Sequence, residues 1–197
     1  MLKIGITGGI SSGKTTATKF FKKKNESFIF NADKESKGHL KSNKILQKKI
    51  INVFGDKVVK NNKLDFSLLA QKAFSNPINH KILNGIMWPE LYILINNAYN
   101  NELEKNNYKF FIVDAALIFE ANFQSFFDYI ILITAKEKLR IERAVKRKNI
   151  PLESIQNRIS LQLSDTQKKK MSNYIIENNS DINSFLKRLE KIYNKLL

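Results

Sequence analysis

The chain has 197 residues, with 34 Lys and Arg against 18 Asp and Glu, a formal net charge of +16 and no cysteine. That length fits one domain with a full core, and the missing thiols exclude disulfides, Cys-ligated zinc and thiolate catalysis. With no apolar run near the ~18 residues of a membrane span, and a strand where a signal peptide would stand, a cytoplasmic protein is expected.

The opening Leu2-Lys3-Ile4-Gly5-Ile6-Thr7 alternates like a short strand, and Lys14 to Lys24 places Ala17, Phe20 and Phe21 at helical spacing. Between them, Gly8-Gly9-Ile10-Ser11-Ser12-Gly13-Lys14-Thr15 has the spacing G-x-x-x-x-G-K-[ST]. Glycines let the backbone turn so that successive N–H groups point at a triphosphate. Lys14 brings a positive charge to the outer phosphates, and the Thr15 hydroxyl is placed for Mg²⁺. Strand, loop and helix N-terminus together make nucleotide binding by Gly9, Ile10, Ser11, Ser12, Gly13, Lys14, Thr15 and Thr16 the first expectation.

Ser27-Phe28-Ile29-Phe30 reads as a second, buried strand ending in Asn31-Ala32-Asp33. Ligand chemistry gathers at the carboxyl ends of parallel strands, so Asp33 suits a general base or a hydroxyl-orienting acid. A helix N-cap fits its position equally well. Lys34 to Asn107 is mostly helical by periodicity, with a turn at Asn61-Asn62 and a kink or restart at Trp88-Pro89. Nothing in it resembles a linker, which marks it as an insertion between strands.

Phe110-Phe111-Ile112-Val113-Asp114 has the Walker B pattern, in which the acid joins the Mg²⁺ shell. A strand-end aspartate capping a turn would look the same. Tyr129 to Thr134 is another buried strand, and alternating strands and helices predict an α/β P-loop NTPase, a parallel sheet flanked by helices. Lys136 to Lys148 is a charged helix with Arg140, Arg143 and Arg147 on one stripe, and a second helix starts at Pro151. Over about 136–165 this hairpin reads as a lid whose arginines neutralise a transferring phosphoryl group. A solvated basic face has the same pattern. A strand at Tyr174-Ile175-Ile176 and a closing apolar helix complete the chain.

Taken in order, these residues resemble the dephospho-CoA kinase family. The stretch Ile4 to Thr15 is similar to its I-G-L-T-G-G-I-G-S-G-K-S, Asn31-Ala32-Asp33 to its D-A-D, and Leu117-Ile118-Phe119-Glu120 to its L-L-F-E. Arg143 and Arg147 stand for its lid arginines, Arg158-Ile159 with Gln162 for its R-I-x-x-Q, and Ser172 to Asn178 for its A-D-x-V-I-x-N. The departures are Asn31 for the first aspartate, Phe66 for an arginine, Trp88 for a histidine, Ala116 for a proline, and Ser172-Asn173 for A-D.

The resemblance implies phosphorylation of the ribose 3′-hydroxyl of dephospho-CoA by ATP with Mg²⁺. It implies Asp33 as catalytic base, Lys14 and Arg143 in phosphoryl transfer, Arg147 and Asn178 at ATP, and Thr15 with Asp114 at the metal. The substrate is expected against Asp33, the 34–107 helices and the Phe119-Glu120 corner, in a single kinase domain over 1–197. Another small-molecule kinase on the same core is the nearest alternative. The basic charge allows a nucleic-acid-binding NTPase, but Lys and Asn crowd the whole chain, and aromatic clusters or a separate basic tail are missing. The expected partners are therefore ATP and dephospho-CoA, without nucleic acid or membrane.

Overall fold

The computed structural model describes residues 1–148 and 151–197, with the side chains of 147 and 148 excepted. Five parallel strands form one sheet in the order β2-β5-β1-β6-β7. They are β1 (Leu2–Thr7), β2 (Ser27–Asn31), β5 (Phe110–Asp114), β6 (Tyr129–Thr134) and β7 (Tyr174–Glu177). β1 is central, with β5 and β6 as its neighbours, so its carboxyl end opens into the middle of the sheet edge. β5 and β6 are apolar runs, and β1, although it alternates in sequence, is buried from Ile4 to Thr7, as a sheet covered on both faces requires.

One face packs under α1 (Lys14–Lys23) and α9 (Ile182–Leu196). Ala17 and Phe21 of α1 and Phe185, Leu189 and Leu196 of α9 join Ile4, Ile6, Ile131 and Ile133 in a single buried cluster. Full burial of each large apolar side chain contributes about 2 kcal/mol. On the other face Ile118, Phe119 and Ile130 form a smaller cluster with Phe127 and Leu163 against it. The lid region of the sequence, about 136–165, forms α6 (Glu137–Lys148) and α7 (Leu152–Ser160), and the short α8 (Asp165–Lys170) follows it.

The chain divides into two compact units, Met1–Asn31 with Asn97–Leu197, and Ala32–Asn96. The second unit holds α2 (Ala32–Ser42), α3 (Lys44–Phe54), α4 (Phe66–Ala73) and the first two-thirds of α5 (Pro77–Lys105). Its own core is Leu40, Leu46, Ile50, Phe54, Val58, Leu64, Leu69 and Ile86. Asn43 and Asp65 cap α3 and α4 by accepting from backbone N–H groups. A two-stranded hairpin, β3 (Val59–Lys60) with β4 (Lys63–Leu64), interrupts the helices. Asn61 and Asn62 turn it at φ of 52° and 58°, the left-handed pair a two-residue hairpin needs.

The expected break at Trp88-Pro89 does not occur, because α5 runs through Pro89 as one helix of 29 residues. Proline there removes one hydrogen bond and crowds the carbonyl four residues back, which belongs to Gly85. Pro89 is exposed, so water can serve that carbonyl, while Ile86 and Ile95 are buried on either side and hold the helix together.

Candidate active site

The loop after β1 is built by backbone geometry. Gly13 has φ 118°, and a Cβ there would lie 2.4 Å from the Asn178 Nδ2. At Gly8 a Cβ would lie 2.1 Å from the Ile133 carbonyl, so the loop can cross the end of β6 only with glycine in that place. Helix α1 begins without a side-chain cap and without an acid in its first turn. Its positive dipole end is therefore left for an anion. The Lys14 ammonium donates to the carbonyls of Gly8 at 2.7 Å and Gly9 at 3.3 Å, folded over the cradle it closes.

Asn178 ties three elements together at the loop's far end. Its N–H donates to the Thr134 carbonyl at 2.7 Å, and its Nδ2 to the Ser12 carbonyl at 2.8 Å. The Arg143 Nη1 donates to the Asn178 carbonyl at 3.0 Å. Arg143, expected in phosphoryl transfer, is thus joined through the main chain of Asn178 to a residue expected at ATP and bonded to the phosphate loop, although 35 positions separate the two in sequence. The expectation for Arg147 rests on a side chain outside the described residues.

Asp114 ends β5 directly beside Ile6 of β1 and Asn31 of β2 in the sheet register. It is buried, and the Asn31 amide donates to its Oδ2 at 3.4 Å. Asn31 thus gives Asp114 a neutral donor where a second carboxylate would repel it. Thr15, next to Lys14, is exposed. A hydroxyl and a carboxylate are hard oxygen donors, the kind Mg²⁺ takes from protein while substrate phosphates supply the rest. Among the described residues no group of three or more His, Cys, Asp or Glu could hold a metal by itself. Such a donor set suits an ion that arrives with a nucleotide.

Asp33 lies in the first turn of α2, two residues past the end of β2, and is exposed. The helix begins at Ala32, so Asp33 is inside it and is not its N-cap.

Phe119 and Glu120 follow β5, with Phe119 in the cluster on the face of the sheet opposite α1 and α9. Phe119 is 3% exposed among Ile118 and Ile130. The Glu120 Oε1 accepts from the Leu163 N–H at 2.9 Å and stands 2.9 Å from the Lys168 ammonium. The side chain of Lys168 is 1% exposed. The other oxygen, Oε2, is buried with no hydrogen-bond partner among the described residues. Sequence reasoning missed Lys168 altogether, since the run Lys168-Lys169-Lys170 looks like a solvated face and carries no signal of burial.

A family model of dephospho-CoA kinase matches residues 2–184. A dephospho-CoA kinase of Fusobacterium nucleatum is 33% identical over 189 residues, covering 95% of each chain. One of Chlamydia caviae is 31% identical over 196 residues, covering 100% of this chain and 96% of the relative. The solved dephospho-CoA kinase from Campylobacter jejuni superposes with a TM-score of 0.70 at 25% identity, covering 98% of this chain and 96% of that one. With a phosphate loop, a buried strand-end acid and an arginine-bearing hairpin in the same chain order, the protein belongs to the dephospho-CoA kinase family.

Proposed function

We propose that the protein transfers the γ-phosphoryl group of ATP to the ribose 3′-hydroxyl of dephospho-CoA, giving coenzyme A and ADP, the last step of coenzyme A synthesis. The observation that carries this reading is the family match over residues 2–184, spanning the phosphate loop and the helices that follow it. Backbone amides from Gly9 to Thr16 and the Lys14 ammonium hold the triphosphate. Arg143, and with it Arg147, brings positive charge to the transferring group, and Asn178 lies at the adenine side. Asp33 accepts the proton of the 3′-hydroxyl while the new O–P bond forms and the bond from γ-phosphorus to the bridging oxygen of ADP breaks.

Thr15 and Asp114 would hold Mg²⁺, which when bound neutralises phosphate charge. Phe119 and Glu120 shape the substrate corner after β5, and the hairpin of α6 and α7 serves as the lid. A kinase of this class works in the cytoplasm, in keeping with the absence of cysteine from the sequence.

A panel of acceptors, followed by ADP release, tests the reading. Dephospho-CoA should support steady turnover and nucleoside monophosphates should not. Preference for a nucleoside monophosphate or another small alcohol would overturn it.

A further inference from the structure

Arg140 shares the stripe of Arg143 and Arg147 in sequence, yet it is buried and has no part in the transfer proposed above. Arg140, in the first turn of α6, has a side chain only 8% exposed. Its Nε donates to the Ala135 carbonyl at 3.1 Å, which fixes the plane of the guanidinium. The Glu137 and Asp165 carboxylates stand 3.8 and 3.7 Å from Nη2. Those distances give Coulombic attraction without hydrogen bonds. Among the described residues the two terminal nitrogens hold no other ionic or hydrogen-bonding partner.

The space those nitrogens fill belongs to the phosphate loop. A Cβ built on Gly9 would fall 1.9 Å from the Arg140 Nη1 and 3.0 Å from its Cζ. Gly9 is absent from the positive-φ glycines, so its backbone conformation does not demand glycine. What stands where a side chain would go is the Arg140 guanidinium, held there through its bond to Ala135. Beyond it lies a cavity of about 580 Å³ bordered by Arg140, Gln162, Asp165 and Glu177. Arg140 is therefore the wall that separates this open space from the loop.

We propose that Arg140 is a positioning residue for the phosphate loop. Braced by Ala135, Glu137 and Asp165, its guanidinium confines Gly9 and keeps the Gly8 and Gly9 carbonyls where Lys14 meets them. Asp165 begins α8, so the same contact ties the nucleotide loop to the segment that follows the α6–α7 hairpin. Without the side chain, the cavity opens onto Gly9 and the loop relaxes outward before a nucleotide arrives. The cost falls on binding, because the loop grips the triphosphate in the ground state and the transition state alike.

The test uses the full chain and two readouts, equilibrium binding of ATP without acceptor and steady-state kinetics with dephospho-CoA. The kinetic arm rests on the function proposed above; the binding arm does not. Arg140→Ala should raise the ATP Kd and KM about tenfold while kcat changes less than about threefold. Arg140→Lys keeps the charge but loses the flat group against Gly9, and should bind ATP as weakly as Arg140→Gln. Gly9→Ala should weaken binding strongly in the parent, yet cost little further when added to Arg140→Ala, because the clash is gone. Thermal unfolding checks each variant, and Arg140→Gln replaces Arg140→Ala if the latter does not fold. Unchanged ATP affinity in folded Arg140→Ala, full affinity in Arg140→Lys, or Gly9 and Arg140 penalties that simply multiply would overturn the proposal. A parent that binds ATP but ignores dephospho-CoA would reject the acceptor assignment and leave the loop coupling measurable.

Discussion

Asp114 ends β5, Asp33 follows the end of β2 by two residues, and the two occupy opposite environments. Asp114 is buried beside an amide from Asn31, whereas Asp33 is exposed in the first turn of α2. A buried acid tied into a sheet edge is suited to holding a fixed cation, and an exposed one to meeting a substrate that comes and goes. That contrast assigns the two carboxylates different work under the proposed mechanism. Asp33→Asn keeps the shape and removes the base, so kcat should fall about a hundredfold or more with dephospho-CoA affinity nearly unchanged. A steady-state titration showing lost affinity and intact kcat would reject the base role. Where the family has an arginine after L-D, Phe66 is 40% exposed with the Lys41 ammonium 6.0 Å from its ring centre. This places a cation close to the position the substitution vacates.

Strands β2 and β5 and helix α9 are also fastened at the end of the sheet away from the site. Glu26, just before β2, pairs with Lys109 at 2.6 Å and accepts from the Tyr193 hydroxyl of α9. Hydrogen bonding to Lys109, then to Tyr193, holds the Glu26 carboxyl below its ordinary value of 4.5. The same carboxylate pushes the Tyr193 hydroxyl up to about 12 from 10.0. The two signs differ. Glu26 stabilises the fold above pH 4.5, and this is lost as pH falls through its lowered folded value. Tyr193 stabilises the fold below pH 10.0, and this is lost as pH rises toward 12. An absorbance titration of the tyrosines should therefore show the Tyr193 step return toward 10 in Glu26→Gln. An unmoved high step in that variant would contradict the contact. Helix α5 teaches a complementary lesson, since local proline chemistry predicts a break that burial on both sides overrides.

At the scale of the molecule, legibility followed the range of the interactions. The phosphate loop, the apolar strands and α9 could be read because their signals lie within a few residues: glycine spacing, unbroken apolar runs and helical period. The junction of Asp33 was half legible, as its strand was clear but the start of α2 one residue earlier was not. Lys168 against Glu120, and Arg140 against Gly9, were illegible because each pairing joins distant segments and neither lysine nor arginine carries a mark of burial in sequence. Phe119 shows the same limit from the other side. Motif position suggested a substrate corner, and only three-dimensional packing placed the ring beside Ile118 and Ile130. The central claim is a reaction at one oxygen, and it can be read directly. Protein, ATP, Mg²⁺ and dephospho-CoA should yield a product heavier by one phosphate, which fragmentation and phosphorus NMR locate on the ribose 3′-oxygen. ATP bound and dephospho-CoA recovered unmodified, or a phosphate found at any other atom, would contradict the account.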